Sequence, residues 1–262
     1  MLKVNNLKFS YGKDRACVFD NISIEFNKGF NVILGPNGAG KSTLVKAIFG
    51  LLNYRGTIYY NCKNVSEMKT CEKVELMSYL PQMDLDISSL TVLEMVLLGR
   101  LPELSRRVSD KDLNIVMDTL KDLNIHELSM KKFNELSGGQ KKLVFIAQTL
   151  VRNPEIILLD EPTNSLDLQK QLELCQLLGK IIKVRNVDII VVLHDINLAA
   201  RHADHIVVIT SQGDYYNSGA AKDVITEKML RDVYGVIGSV NLDDENKPVI
   251  SAKKSARDSC DT

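Results

Sequence analysis

Phe30-Asn31-Val32-Ile33-Leu34-Gly35-Pro36-Asn37-Gly38-Ala39-Gly40-Lys41-Ser42-Thr43 decides the fold. The first five residues form an apolar run of strand length that stops at Gly35. From Lys41 the pattern changes, and Leu44, Ala47 and Ile48 recur at helical spacing. Gly35 to Ser42 fits G-x-x-x-x-G-K-[ST], with a strand before it and a helix after it. Glycines let the backbone wrap closely around phosphates and aim N–H groups at them. The following helix adds a positive dipole end. Lys41 is a mobile point charge for the β- and γ-phosphates. The Ser42 hydroxyl suits Mg²⁺, and Thr43 can donate to a phosphate oxygen. By average composition this pattern arises by chance in roughly 1% of chains this long. Gly35, Pro36, Asn37, Gly38, Ala39, Gly40, Lys41, Ser42 and Thr43 are therefore read as a phosphate-binding loop.

On the N-terminal side of the loop, Leu2, Val4, Leu7 and Phe9, then Val18, Ile22, Ile24 and Phe26, alternate as strands do. On the C-terminal side, 56–60 and 76–80 read as further strands. From 91 to about 123 the pattern turns helical, through Val92, Met95 and Val96, then Leu113, Val116, Met117 and Leu120. Residues 136–150 read as a glycine-opened helix. The order after that is strand (156–160), helix (about 168–183), strand (187–193), helix (about 196–203), strand (206–210). Such alternation implies parallel strands in an α/β sheet, with crossovers packed on its faces. The helical block at about 83–135 interrupts the alternation and predicts a subdomain. From Ser251 the chain is polar and charged, which predicts a frayed end.

Two further motifs carry chemistry. Ile156-Ile157-Leu158-Leu159-Asp160-Glu161 is an apolar strand ending in two acids. Side chains alternate along a strand, so the two carboxylates are expected to point different ways. Asp160 is assigned to Mg²⁺ and Glu161 to polarising an attacking water. With a phosphate loop upstream, the pair reads as the second half of a nucleotide site. Leu136-Ser137-Gly138-Gly139-Gln140 opens the next helix, and a Ser-Gly-Gly turn there offers a hydroxyl, N–H groups and a positive helix end to another anion. One nucleotide does not need two such loops. The economical reading is that this one serves the nucleotide of a second copy of the chain.

Composition excludes other classes. The 262 residues carry 33 Lys plus Arg and 33 Asp plus Glu, so no global field attracts a polyanion and no nucleic-acid partner is expected. The longest apolar runs are about five residues, whereas a bilayer-spanning helix needs about 20. The N-terminus shows no export pattern. Cys17, Cys62, Cys71, Cys175 and Cys260 lack the close spacing of a zinc or redox site and read as free thiols in a reducing cytosol.

In this order and spacing the motifs resemble the nucleotide-binding subunits of ATP-binding cassette (ABC) transporters, over about residues 1–235. Gly35–Thr43 is similar to the family's Walker A loop, Ile156–Glu161 to Walker B and Leu136–Gln140 to its signature. Gln82, after Leu80-Pro81, resembles the Q-loop glutamine, which meets Mg²⁺ and water and senses the membrane partner. Ser165-Leu166-Asp167 resembles the D-loop, which crosses the dimer interface. His194 resembles the switch histidine at the γ-phosphate. Tyr11 resembles the aromatic that stacks on adenine. Lys141-Lys142 and Gln148 depart from the arginines frequent in the family.

The resemblance implies a P-loop NTPase of ABC type. Its fold class is α/β: a mostly parallel sheet core, an antiparallel β subdomain and an inserted helical subdomain. It implies an ATPase domain at 1–235 with helices inserted at about 83–135, and a C-terminal extension at 236–262 whose last part is disordered. Two copies would close head to tail on two ATP and two Mg²⁺. Lys41, Ser42, Thr43, Gln82, Asp160, Glu161 and His194 would come from one copy, and Ser137, Gly138, Gly139, Gln140 and Asp167 from the other.

Leu90–Pro102, with its Gly99-Arg100-x-Pro102 stretch, resembles importer subunits for iron-siderophore, haem and cobalamin uptake. So do Ser109-Asp110 and Leu166–Gln171, although Lys170 stands where histidine is usual. The expected partners are a membrane permease and, indirectly, an extracytoplasmic substrate-binding protein. The expected location is the cytoplasmic face of the membrane. Zinc and manganese importers share much of this pattern and stay open as alternatives, as do DNA-repair or translation-factor ATPases of the same fold.

Overall fold

The computed structural model describes residues 1–12, 16–82, 89–104 and 107–256. The expected start of the helical block, Cys260 and the last residues of the extension lie outside the described residues. In chain order the elements are β1 (Leu2–Phe9), β2 (Phe19–Phe26), β3 (Phe30–Leu34), α1 (Lys41–Phe49), β4 (Arg55–Tyr60), β5 (Lys63–Asn64), α2 (Thr70–Leu76), β6 (Met77–Leu80), α3 (Val92–Leu98), α4 (Asp110–Asp122), α5 (Gly138–Leu150), β7 (Ile156–Asp160), α6 (Leu168–Arg185), β8 (Asp188–Val192), α7 (Ile196–His202), β9 (His205–Ile209), β10 (Tyr215–Gly219), α8 (Ala221–Val224), α9 (Glu227–Tyr234), β11 (Val236–Leu242) and β12 (Pro248–Ser255). They divide into two compact units, Met1–Lys73 with Asp188–Thr262, and Val74–Val187.

In the first unit β3 lies between β8 and β9 and runs parallel to both, while β10 closes the edge antiparallel to β9. β3 is buried at all its positions, as its mostly apolar run requires of a parallel strand covered on both faces. Its one polar residue, Asn31, is fully buried and satisfied. Its amide nitrogen donates to the Asn27 carbonyl (2.8 Å), and its oxygen accepts the Asn27 N–H (2.9 Å).

A separate antiparallel sheet has the order β2-β1-β4-β5. Leu2 and Val4 face its core, and so do Leu7 and Phe9, which a strict alternation forbids. Asn6, at φ 51°, absorbs the difference as a register shift between Val4 and Leu7. Gly56 sits opposite. A Cβ there would lie 2.6 Å from the carbonyl oxygens of Asn5 and Asn6.

The chain continues beyond its sheets as α9 and a hairpin, β11–β12, whose strands pair from Val236↔Ser255 to Leu242↔Pro248. β12 runs through Ser251 to Ser255, so fraying does not begin where the polar composition places it. Main-chain pairing holds this segment with little apolar side-chain burial, and composition does not report that.

In the second unit β6 and β7 are parallel, from Met77↔Ile156 to Leu80↔Leu159. The helical block expected from 91 to about 123 resolves into α3 and α4, with a turn at Gly99–Glu103 after α3. Thr91, Ser109 and Ser137 each begin a helix with a reciprocal capping box, answered by Glu94, Asp112 and Gln140.

The Gly99-Arg100 pair ties the helices together. Gly99 lies so close to α5 that a Cβ would collide with the Gln148 carbonyl oxygen. Arg100 is buried and donates to Asp112 (3.1 Å) and to the Val151 carbonyl (3.3 Å). Hydrogen bonds from the Ser109 side chain and backbone, then from Arg100, hold the Asp112 carboxyl below the usual carboxylate range. Gln148, one of the departures from the family pattern, donates to the Met95 carbonyl (3.0 Å), and Lys141 lies 5.6 Å from the centre of the Phe133 ring. Among the described residues, no helix is long and apolar enough to cross a membrane.

The closeness of α3 to α5 sets an expectation. Gly99→Ala should destabilise the protein by about 1–3 kcal/mol through overpacking, read as a lower urea midpoint. An unchanged midpoint would contradict this account of Gly99.

Candidate functional site

The phosphate-loop half is built at the C-terminal ends of β3 and β8. The two strands stay in register to their ends, where the Leu193 N–H reaches the Ile33 carbonyl (3.3 Å). The loop after β3 and His194 after β8 therefore emerge at the same edge, where ligands of parallel sheets bind. Gly40, at φ 89°, begins α1, and a Cβ on it would stand 2.7 Å from Val18 and 2.8 Å from Phe19. Only glycine fits both the backbone angle and the space.

Lys41 is buried, and its ammonium donates to the carbonyls of Gly35 and Pro36, each at 2.8 Å. It is thereby held across the mouth of its own loop. The Tyr11 hydroxyl and Thr43 Oγ1 share a hydrogen bond of 2.9 Å, while the Tyr11 ring stays 54% exposed and meets Phe9 edge-on at 4.9 Å. Tyr11 is therefore an accessible aromatic face tied to the loop. His194 is exposed and precedes Asp195, which caps α7 by accepting the Leu198 N–H (2.9 Å).

The two acids belong to the second unit, Val74–Val187. Asp160 ends β7 and is 3% exposed, with the Tyr79 hydroxyl donating to it across 3.4 Å. Glu161 is not a strand residue. Its φ of 53° is left-handed, so strand alternation, on which the expected divergence of the two acids rested, does not extend to it. A left-handed non-glycine residue costs about 1 kcal/mol or more and persists only where its surroundings hold it. Asn164 does so: its side-chain amide donates to the Glu161 carboxylate, and its N–H to the Glu161 carbonyl (3.2 Å). Asn164 was absent from the sequence reading, since a local side-chain clamp three residues on has no general signature. Gln82 follows β6 and is exposed, at the same strand edge as Asp160.

The second glycine turn lies in the same unit as the carboxylates. Ser137 Oγ accepts the Gln140 N–H (3.3 Å), and Gln140 Oε1 accepts the Ser137 N–H (3.0 Å). An oxygen that only accepts keeps its own O–H for another partner. The Gly138 and Gly139 amides precede the first intrahelical bond, from the Lys141 N–H to the Ser137 carbonyl (2.9 Å). Ser137 and Gly138 are exposed, so the turn faces outward.

Beside this turn runs the Ser165-Leu166-Asp167 loop, and the two line a shared cleft of about 680 Å³. Gln171 holds that loop by donating to the Leu166 carbonyl (3.1 Å), and Asp167 caps α6 through the Lys170 N–H (2.9 Å). The Asp167 side chain thus has a structural role in addition to the one expected of it.

The oxygen donors suit a hard cation. Mg²⁺ keeps most of its waters and takes one or two protein oxygens beside a nucleotide's phosphates. Asp160 and Ser42 are of that kind. Among the described residues, no group of three or more His, Cys, Asp or Glu could hold a metal without such help.

Comparison with known proteins gives the same answer as the geometry. Residues 19–164 match the ABC transporter family model. The chain is 38% identical to the iron(3+)-hydroxamate import ATP-binding protein FhuC of Bacillus subtilis, over 95% of this chain and 93% of that one. Among solved structures it resembles a chain of a metal-chelate type ABC transporter in an inward-facing conformation (TM-score 0.82, 26% identity, 97% of each chain). It also resembles a bacterial ABC transporter cassette solved as a dimer (TM-score 0.71, 28% identity, 84% of this chain and 98% of that one). A lysine-bearing glycine loop behind a buried parallel strand, two acids at the end of another buried strand and a match over more than half the sequence support one conclusion: the chain belongs to the ABC transporter family, as its ATP-binding, ATP-hydrolysing cassette.

Proposed function

We propose that this cassette powers the import of a metal chelate of the iron-siderophore, haem or cobalamin type through a membrane permease. It would sit peripherally on the cytoplasmic face, and an extracytoplasmic binding protein would deliver the cargo. The observation that carries this reading is the likeness to an iron-hydroxamate import protein across 95% of the chain. The DNA-repair and translation-factor alternatives are disfavoured by the segment between β6 and α5, whose described helices have only 7 and 13 residues and offer no long coiled coil. Nothing in the cassette touches cargo, so zinc or manganese stays an outcome of the test below.

In this reading two copies pair head to tail on two ATP. Lys41 leaves the Gly35 and Pro36 carbonyls for the β- and γ-phosphates, a point charge exchanging two dipoles for two anions. Ser42, Gln82 and Asp160 would hold Mg²⁺, which neutralises charge on the phosphates when bound. Glu161, aimed by Asn164, accepts the proton of the attacking water. His194 donates to the γ-phosphate, and the Tyr11 ring stacks on adenine. The Ser137 O–H and the Gly138 and Gly139 amides close on the partner's γ-phosphate, with Gln140 bracing the turn and the Asp167 loop beside it. ATP binds the closed pair better than the open one, and loss of the γ-phosphate removes that difference.

Three outcomes test this. Glu161→Gln should still bind ATP and dimerise in it, but turn over about 10²-fold or more slower; near-normal turnover would refute the role given to Glu161. Ser137→Ala should cost about 1 kcal/mol of stability as a lost cap, yet reduce ATPase activity far more than that loss explains, with ATP affinity of the single chain unchanged. A decline no larger than the stability loss would leave Ser137 merely structural. Finally, tagged chain expressed with its native permease in vesicles should drive ATP-dependent uptake of ferric hydroxamate; uptake of zinc or manganese instead, or no membrane partner at all, would overturn the cargo or the transport reading.

A further inference from the structure

A second concave site lies within the first unit, between the phosphate loop and the C-terminal segment. It is a cleft of about 730 Å³ whose lining includes Pro36, Ser211, Arg231, Tyr234, Lys253 and Lys254. Pro36 is the residue whose carbonyl accepts from Lys41 at 2.8 Å, so an occupant of the cleft abuts the phosphate loop itself. The hairpin wall is anchored on α7. Asn197 accepts the Ile250 N–H (2.7 Å), and Arg201 pairs with Asp243 (2.9 Å). The wall therefore has a fixed position in the fold.

The charge around the cleft is unbalanced. Among the described residues, Arg231, Lys253 and Lys254 have no ion-pair partner. The one acid in the lining, Asp232, already accepts from the Tyr216 hydroxyl (3.0 Å). Arg231 in the last turn of α9 also suits the negative end of that helix. Lys253 and Lys254 sit on a strand and gain nothing of that kind.

Tyr234 adds an independent observation. Its hydroxyl oxygen is buried and makes no hydrogen bond of regular geometry, the Gly35 backbone offering only a weak one, a state that costs free energy in a protein interior. Burial pushes the phenol far above its usual value, offset a little by the Gly35 backbone beside it. The hydroxyl therefore stays protonated and remains a donor.

We propose that this cleft is a second ligand site, for a small organic anion carrying two or more phosphate or carboxylate groups. Lys253, Lys254 and Arg231 neutralise the anionic groups, as clustered cations do for phosphates and carboxylates. The volume lies in the range of small-molecule pockets. The cleft shares Pro36 with the ATP loop, whose Lys41 is the residue assigned to the nucleotide's phosphates, and does not depend on what the transporter carries.

The test keeps the ATP site filled. The full chain, saturated with the non-hydrolysable analogue AMP-PNP and Mg²⁺, is titrated calorimetrically with fructose 1,6-bisphosphate as the probe. One saturable site per chain is expected. Lys253→Glu combined with Lys254→Glu should weaken it at least about tenfold, while Lys63→Glu combined with Lys69→Glu, an equal change of net charge at exposed positions elsewhere, should not. Retained AMP-PNP affinity shows that both variants are folded. No saturable binding to the unmodified chain, equal affinity in the Lys253/Lys254 variant, or equal weakening in both variants would overturn the proposal.

Discussion

The rest of the structure depends on what happens at the end of β3. A strand buried on both faces must stop where the chain meets an edge, and here it stops in a glycine turn across which the lysine at the start of α1 reaches back. Lys41, held between the Gly35 and Pro36 carbonyls, is a charge kept in place by dipoles weaker than a phosphate. That asymmetry makes the loop a receptor: a triphosphate offers the ammonium more than its own loop does. The neighbouring features of this unit serve the same edge. β8 delivers His194, and Tyr11 is bonded to Thr43 on the first turn of α1.

The second unit carries complementary chemistry built by different means. Its acids sit at a strand end and both are buried, Asp160 as the last strand residue and Glu161 in a left-handed conformation that Asn164 restrains. Its second glycine turn is already satisfied internally by the capping box, yet still offers a hydroxyl proton and amides outward. A turn so well capped does not need an anion to be stable. Its exposure therefore reads as readiness for a partner, and the likeness to a dimeric cassette supports that reading.

Much of this was legible in the residues. β3, α1, β7 and β9 lie within one or two residues of their sequence-read limits, because apolar runs and helical spacing mark buried strands and one-sided helices well. The site residues announced themselves through glycine, lysine and paired acids at fixed spacing. What was missed has physical reasons. The parity of β1 changes at Asn6, which only a backbone angle reveals. β10 and the β11–β12 hairpin carry few buried apolar residues, so their pairing left little trace in hydrophobic pattern. The three capping boxes, Thr91-x-x-Glu94, Ser109-x-x-Asp112 and Ser137-x-x-Gln140, are readable in the sequence too and mark the starts of α3, α4 and α5.

The central claim is that each ATP is completed by two chains. It is tested most directly by mixing two single variants, Lys41→Ala and Ser137→Ala, each inactive alone. If the pocket is shared head to tail, a mixed pair contains one intact site, with Lys41 from one chain and Ser137 from the other, and the mixture regains ATPase activity well above either variant. A mixture as inactive as its components, with mixed pairs shown to form, would contradict the account.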